Sequence, residues 1–348
     1  MAVGKREEIE MTVEMPVDKG VKPLLTIAIP TYSRARYLDE LLSTLFDQLI
    51  TEPRVELIVS DNASPDETPN VVKQYVERGL QLRSIRNETN IGSDANFLQC
   101  FEQASGKYVW LLSDDDVLVS GAISKIMSCL EGEECDLVYV NSFMFNDQDR
   151  PKPASNCPKP ERFVDPKSLA RRVHVFFTFI SGNIINKDRV QKVQHNPFSD
   201  LVGSNLVQLG WAYTALNGYV LGLYIHEKLV GMRVNNTGGY KLLEVFGPTF
   251  KKITDQWLCS KGVRKAVING TIQRFWPGLI LMHRTSADRF KDDADPREVL
   301  APVYGNNIRY WICVYPAIVL PLVLAKFWTL AVRVLNRLDR AFGFVLLN

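Results

Sequence analysis

The chain has almost no charge imbalance. Its 41 Lys and Arg stand against 39 Asp and Glu, a formal charge of +2 in 348 residues, which is too weak a field to gather nucleic acid over a whole face. Any basic surface must be local. The six cysteines (Cys100, Cys129, Cys135, Cys157, Cys259, Cys313) include no CxxC pair, so no structural zinc site is suggested and reduced thiols of an intracellular protein are expected. The first 22 residues carry Lys5, Arg6, Glu7, Glu8, Glu10 and Glu14 with no apolar stretch. They read as a loose tail, not a secretory leader. No internal repeat is present. With 46% hydrophobic and 23% charged residues, there is ample material for one large or two small buried cores, and disorder is not the expectation.

What is there alternates between strand and helix. Leu24–Pro30 (LLTIAIP) is a short, partly β-branched apolar run of the kind a buried parallel strand requires. Leu38, Leu41, Leu42, Leu45 and Leu49 then recur at helical spacing, and Val55–Ser60 (VELIVS) is a second buried strand. A helix is expected over Asp66–Arg78, a strand over Leu80–Ile85 and a helix over Phe97–Ala104, which Gly106 stops. Tyr108–Leu112 (YVWLL) runs straight into Ser113, Asp114, Asp115 and Asp116. A helix over Gly121–Leu130 and a strand over Asp136–Ser142 complete this half. Five prolines between Arg150 and Pro166 mark a linker. Beyond it we expect a strand at Ile180–Ile185, a helix at Leu201–Leu216, strands at Tyr219–Ile225 and Leu229–Val234, and helices from Phe246 onward.

Ligands of an open α/β sheet bind outside the carboxyl ends of its strands. Three such ends carry chemistry here. Pro30, Thr31, Tyr32, Ser33 and Arg34 offer an aromatic face and a cation. Asp61, Asn62, Ala63, Ser64, Pro65 and Asp66 offer a carboxylate, although an Asx turn with Asp66 capping the next helix explains the same string. Asp114, Asp115 and Asp116 repel one another unless a hard divalent cation relieves them. A solvated acidic turn is the plainer account of that triplet taken alone.

Together and in this order, IAIPTYSRARYL, VSDNASPDET, NETNIGSDANF and VWLLSDDDV resemble the motifs of family-2 glycosyltransferases of the GT-A fold. The likeness covers about Leu24–Ser142 and is greatest to bacterial O-antigen and capsule transferases of the abequosyltransferase-like type. It implies a Rossmann-like α/β domain over residues 23–240, with a donor half at 23–150 and an acceptor half at 167–240, followed by a helical, membrane-associating region at 241–348. It implies that Pro30, Thr31, Tyr32 and Arg34 line a nucleotide pocket and that Asp61 binds the base. Asn62 stands where the family often has a second Asp. Arg86, Asn90 and Gly92 would shape the pocket, Asp114 and Asp115 would face the nucleotide, and Asp116 with Asp114 would hold Mg2+ or Mn2+. The implied reaction inverts the anomeric centre of a nucleotide-sugar donor.

Such a displacement needs a base on the acceptor side. Asp200, Asp188 and His195 are the candidates. Asp200 is preferred for its place before an expected helix at Leu201, where an ordinary N-cap would look the same. Ser181, Gly182 and Asn183 resemble a segment passing under the donor sugar. Arg233, Asn235 and Asn236, with Gly238 and Gly239 as hinges, would form a mobile loop over the diphosphate. The apolar run at 311–332, interrupted by Lys326 and followed by Arg333, Arg337 and Arg340, suits an anionic membrane surface, and Pro316 and Pro321 argue against one straight span. A polyprenyl-linked glycan acceptor and the cytoplasmic face of the inner membrane are expected. Two other classes fit less well: a nucleotidyltransferase, which would want glycine in PTYSRARY, and a silent sugar-nucleotide or polysaccharide-binding scaffold.

Overall fold

The structure, a computed structural model, describes residues 22–146, 159–234, 239, 241–285 and 294–342, with side chains to 338 in the last stretch. The tail at 1–21, most of the proline-rich linker, Cys157, Asn235, Asn236 and Gly238 lie outside the described residues.

The donor half builds β1 (Leu25–Thr31), α1 (Ala35–Leu49), β2 (Val55–Asp61), α2 (Thr68–Glu77), β3 (Arg83–Arg86), α3 (Ser93–Gln103), β4 (Tyr108–Leu111), β5 (Val117–Leu118), α4 (Ala122–Gly132) and β6 (Leu137–Phe145). After the linker come β7 (Glu161–Phe163), α5 (Pro166–Val173), β8 (Asn183–Asn186), α6 (Lys187–Val193), α7 (Gln208–Asn217) and β9 (Gly222–Arg233). These strands form one sheet in the order β3-β2-β1-β4-β8-β6-β9-β5, with β7 against β9. The first four pair in parallel, and β8 turns antiparallel between β4 and β6. The carboxyl ends of β1, β2 and β4 therefore lie side by side. That is where the three loops of interest begin.

Strand pleating divides the core. Leu25, Ile27, Ile29, Tyr108, Trp110, Val138 and Val140 face one apolar layer, under α1, α2 and α4. Their neighbours Ala28, Val109, Leu111, Leu137 and Tyr139 face the other, with α3 and α7. Side chains two residues apart share a sheet face, so a strand buried on both sides reads as an unbroken apolar run. Gly106 sits where a Cβ would meet the Thr26 backbone N at 2.7 Å. Close passage beside β1, more than helix termination, requires glycine there.

Several expectations shift. The strand at Ile180–Ile185 splits into a 3-10 turn (Ile180–Gly182) and β8. The two strands expected over 219–234 are one, β9, which bulges at His226 and Glu227 opposite Asn141. Asn141 Nδ2 donates to His226 O at 2.9 Å across the bulge, and Glu227 pairs with Lys125. The expected helix at Leu201 starts only at Gln208, after a 3-10 turn at Phe198–Leu201. Helices do dominate the rest, and the apolar run at 311–332 is broken at Leu320 and Pro321 into Tyr315–Val319 and Leu322–Phe342. Among the described residues no helix is long and apolar enough to cross a membrane.

Candidate active site

The loops after β1, β2 and β4 open onto one pocket of about 600 Å³. Pro30, Thr31, Tyr32, Arg34, Asn62, Asn90, Gly92, Asp114, Asp115 and Asp116 all line it. Thr178, Phe179, Asn205 and Gln208 from the second half supply the far wall.

The β1 loop is held by the β2 loop. Ser33, at φ 54, donates its N–H to Ser64 Oγ at 2.9 Å, and Ala35 N donates to Asp66 Oδ2 at 3.0 Å. Asp66 also accepts from Thr68 N and Thr68 Oγ1, so one carboxylate ties the start of α1 to the start of α2. Ala63 joins Ser33 in the left-handed region at φ 62. Such backbone costs free energy in non-glycine residues and persists where neighbours enforce it.

Asn62 shows why an amide stands where an acid was the family's option. Its Nδ2 donates to Asn90 Oδ1 at 2.8 Å and Gly92 O at 3.3 Å, while its Oδ1 accepts from Asn87 Nδ2 and Ile91 N, both at 3.0 Å. A carboxylate has no donor for the first two. Gly92, at φ 87, starts α3 in a conformation that favours glycine. Asp61 and Arg86 do not line the pocket. Asp61 is buried, accepts from Ser64 N at 2.9 Å and pairs with the Arg86 guanidinium, which also donates to Ser64 O. Both hold the wall from behind.

The acidic turn is nearly dry. Asp114 and Asp116 are 3% and 2% exposed. Burial is the main cause that pushes Asp114 up to about 6, countered by Arg34 and reinforced by Asp115. Burial and then the neighbouring Asp115 push Asp116 up to about 8. Desolvation and like charge disfavour the ionised form alike. Arg34 Nη1 lies 2.9 Å from Asp114 Oδ1 and 3.4 Å from Asp115 Oδ2. Asp116 Oδ1 accepts from Arg233 N at 3.2 Å, and its buried Oδ2 has no hydrogen-bond partner. An orphaned buried carboxylate oxygen needs an explanation.

Arg233 lies in a strand rather than in the loop expected to carry it. It ends β9, donates from Nε to Asp115 O at 3.0 Å and from Nη2 to Glu40 Oε2 at 2.5 Å, and lies between the Tyr37 and Phe145 rings. It buttresses the acidic turn. So does Ser181, whose Oγ accepts from Ser113 N and whose O accepts from Trp110 Nε1, both at 2.9 Å. Gly182 allows close approach, but to Phe179 and Tyr139: a Cβ there would meet them at 2.8 and 3.1 Å.

The three base candidates stay away from the pocket. Asp200 and His195 are exposed, and Asp188 pairs with Lys22 at 2.5 Å. None lines the cavity. The lining carboxylate outside the acidic turn is Asp94, which sequence reading passed over. Asp94, in the first turn of α3, accepts from Asn205 N at 2.7 Å and Val207 N at 3.5 Å. It joins the donor half to the loop that carries Asn205, itself at φ 61. Burial raises its carboxyl pKa, and the backbone N–H groups of that loop oppose the rise. Its only advance signal was an acid directly after Gly92-Ser93.

An open α/β sheet whose β1, β2 and β4 ends share one pocket with a buried acidic turn has the architecture of a GT-A-like fold. Residues 26–190, just under half of the chain, match the model for Glycosyl transferase family 2. The chain is 27% identical over 186 residues to abequosyltransferase RfbV of Salmonella typhimurium, covering 48% of this chain and 54% of that one. It is 33% identical over 106 residues to the GalNAc(5)-diNAcBac-PP-undecaprenol β-1,3-glucosyltransferase of Campylobacter jejuni, covering 30% and 34%. The chain thus spans about half or less of these curated relatives. In fold it is similar to S. aureus TarS 1-349 in complex with UDP-GlcNAc, with TM-score 0.60 and 16% identity over 91% of each chain. It is also similar to the Pyrobaculum calidifontis mannosyltransferase PcManGT in complex with GDP-Man and Mn2+, with TM-score 0.54 and 13% identity over 93% of this chain and 89% of that one.

Proposed function

We propose that the chain is an inverting glycosyltransferase that moves a sugar from a nucleotide-diphosphate donor to a hydroxyl of a lipid-linked glycan in bacterial surface polysaccharide assembly. The observation that carries this reading is the convergence of the β1 loop, the Asn62 hub and the acidic turn on one pocket. The relatives' printed names support the substrate class: one acts on an undecaprenol-linked glycan and another is an abequosyltransferase.

Mg2+ or Mn2+ fits the acidic turn. Asp116 Oδ2 is buried without a partner and feels the charge of Asp114, although among the described residues no three His, Cys, Asp or Glu side chains form a ready-made metal cluster. Donor phosphate oxygens would complete such a shell, as is common for these ions. Asp116 and Asp114 would hold the ion, which when bound supplies positive charge against the leaving diphosphate. Arg34 contributes a fixed cation at the same edge, and preorganised charge of this kind lowers the barrier without reorganisation. Tyr32, 43% exposed at the rim, presents a ring to the nucleotide. Asp61 and Arg86 keep the β2 loop in place, and Asp94 fixes the acceptor-side wall. A lipid-linked acceptor places the reaction at the cytoplasmic face of the inner membrane, with the chain bound peripherally.

Donor turnover tests the reading. Release of nucleoside diphosphate from one of the common nucleotide sugars, lost in Asp116→Ala while the fold persists, is the expected result. A folded wild-type chain that neither binds nor turns over any of them would leave the scaffold reading in its place.

A further inference from the structure

The terminal helix Leu322–Phe342 has one face packed on the body and an apolar stripe left exposed on the other. Ala325, Thr329 and Val332 are buried, and Asn336 Nδ2 donates to Gln273 O at 2.9 Å. Spacings of four, three and four put these on one face toward the body. Val323, Phe327, Leu330, Val334 and Leu338 recur at the same spacing on the opposite face, and all are exposed, Phe327 by 67% and Val323 by 64%. A contiguous stripe of this kind is far from the scattered apolar residues of an ordinary surface.

Charge says what covers it. Lys326, Arg333 and Arg337, spaced by seven and four, form an exposed row along one flank of the stripe. From Glu298 to Asp339 the intervening sequence contains no Asp or Glu, whereas Arg309, Lys326, Arg333 and Arg337 fall inside it. Trp328, on the other flank, donates Nε1 to Ile312 O at 2.9 Å with its ring partly exposed, and Trp311 and Val319 are exposed on the preceding segments. A second copy of this chain would set the basic row against its own like charge or against apolar side chains. An anionic lipid surface neutralises the row and takes up the stripe together.

We propose that this helix is an in-plane anchor for an anionic bilayer. Val323, Phe327, Leu330, Val334 and Leu338 enter the acyl boundary, and Lys326, Arg333 and Arg337 engage the phosphates. The contact surface is this outward stripe rather than the whole apolar run at 311–332, of which Cys313, Val314, Ala317, Ala325, Thr329 and Val332 are buried. This deepens the proposed reading of a membrane-located acceptor, and it is testable without any sugar chemistry.

The test is co-sedimentation of the full chain with vesicles of phosphatidylglycerol and phosphatidylcholine against phosphatidylcholine alone, with nucleotide affinity and mass in solution measured on the same samples. Binding to the anionic vesicles is expected, weakened by salt and weakened about fivefold for each of Lys326→Gln, Arg333→Gln and Arg337→Gln. Phe327→Glu with Leu330→Glu abolishes it while leaving nucleotide affinity unchanged. A wild-type chain that ignores anionic vesicles overturns the anchor, and so does vesicle binding indifferent to both sets of variants. A concentration-dependent dimer that the double glutamate variant dissolves would assign the stripe to self-association instead. Loss of nucleotide binding in wild type would overturn the transferase reading and leave the vesicle result standing.

Discussion

Asp94 couples the two halves of the pocket, and its removal has a calculable cost. Its carboxylate accepts from Asn205 N at 2.7 Å and, at the long distance of 3.5 Å, from Val207 N. A hydrogen bond to a charged group is worth about 1.5–3 kcal/mol, and a buried N–H left without a partner costs about 1–3. Asn205 is exposed, so water can replace that bond in part, whereas Val207 is fully buried. Burial of the carboxylate, which raises its pKa, offsets some of the gain. Asp94→Ala should therefore lower stability by about 2 kcal/mol, and Asp94→Asn by somewhat less. Functionally the loop that carries Asn205 and leads into Gln208 at the start of α7 loses its tether, while Tyr32, Arg34 and Asn62 are untouched. Nucleotide affinity by calorimetry should stay within about twofold, and the KM for acceptor should rise about tenfold, equivalent to about 1.4 kcal/mol. A transfer rate that collapses with unchanged acceptor KM and unchanged stability would refute the tether and make Asp94 the proton acceptor.

Other outcomes follow from single contacts. Gly106→Ala drives a Cβ to 2.7 Å from Thr26 N, and the shift it forces should cost about 1–3 kcal/mol in urea unfolding. An unchanged midpoint would show that β1 and β4 can part freely. Asp66 is held below the usual carboxylate range: its partial burial works the other way, but bonds from Thr68 Oγ1, Ala35 N and Thr68 N outweigh it. A depressed folded pKa gives stability that is present above the unfolded value of about 4 and lost as pH falls through the folded one. The melting-temperature gap between wild type and Asp66→Asn should therefore shrink from pH 6 to pH 3, and a constant gap would contradict this. Asp200→Asn should leave the transfer rate within about twofold, since Asp200 is exposed away from the pocket. A loss of a hundredfold would return it to the mechanism.

The buried strands were legible because a strand covered on both faces has no choice but to be apolar throughout, as LTIAIPT and YVWL are. Loop chemistry at their ends was legible for the same reason, since topology brings parallel strand ends together. The start of α3 was hidden, because Gly92 caps it by conformation and offers no side-chain oxygen. The single strand β9 was hidden by polar His226, Glu227 and Lys228, which look like a turn until the bulge opposite Asn141 and the Lys125 pair account for them. Roles set by distant partners left no local trace. Asp94 meets a loop 111 residues away, and Arg233 meets Glu40 across 193. The terminal segment showed its hydrophobicity in sequence but not which half faces inward, a division that only Ala325, Thr329 and Val332 against their packing neighbours reveal.

The pocket is expected to bind a nucleoside diphosphate through the acidic turn. Calorimetric titration with UDP, GDP, CDP and dTDP, each with Mn2+ or with EDTA, on wild type and Asp116→Ala, addresses it directly. Binding of one nucleotide class that requires Mn2+ and is lost in the variant is the predicted result. A folded wild-type chain that binds none of the four, or binds one equally well with EDTA and in Asp116→Ala, would contradict it.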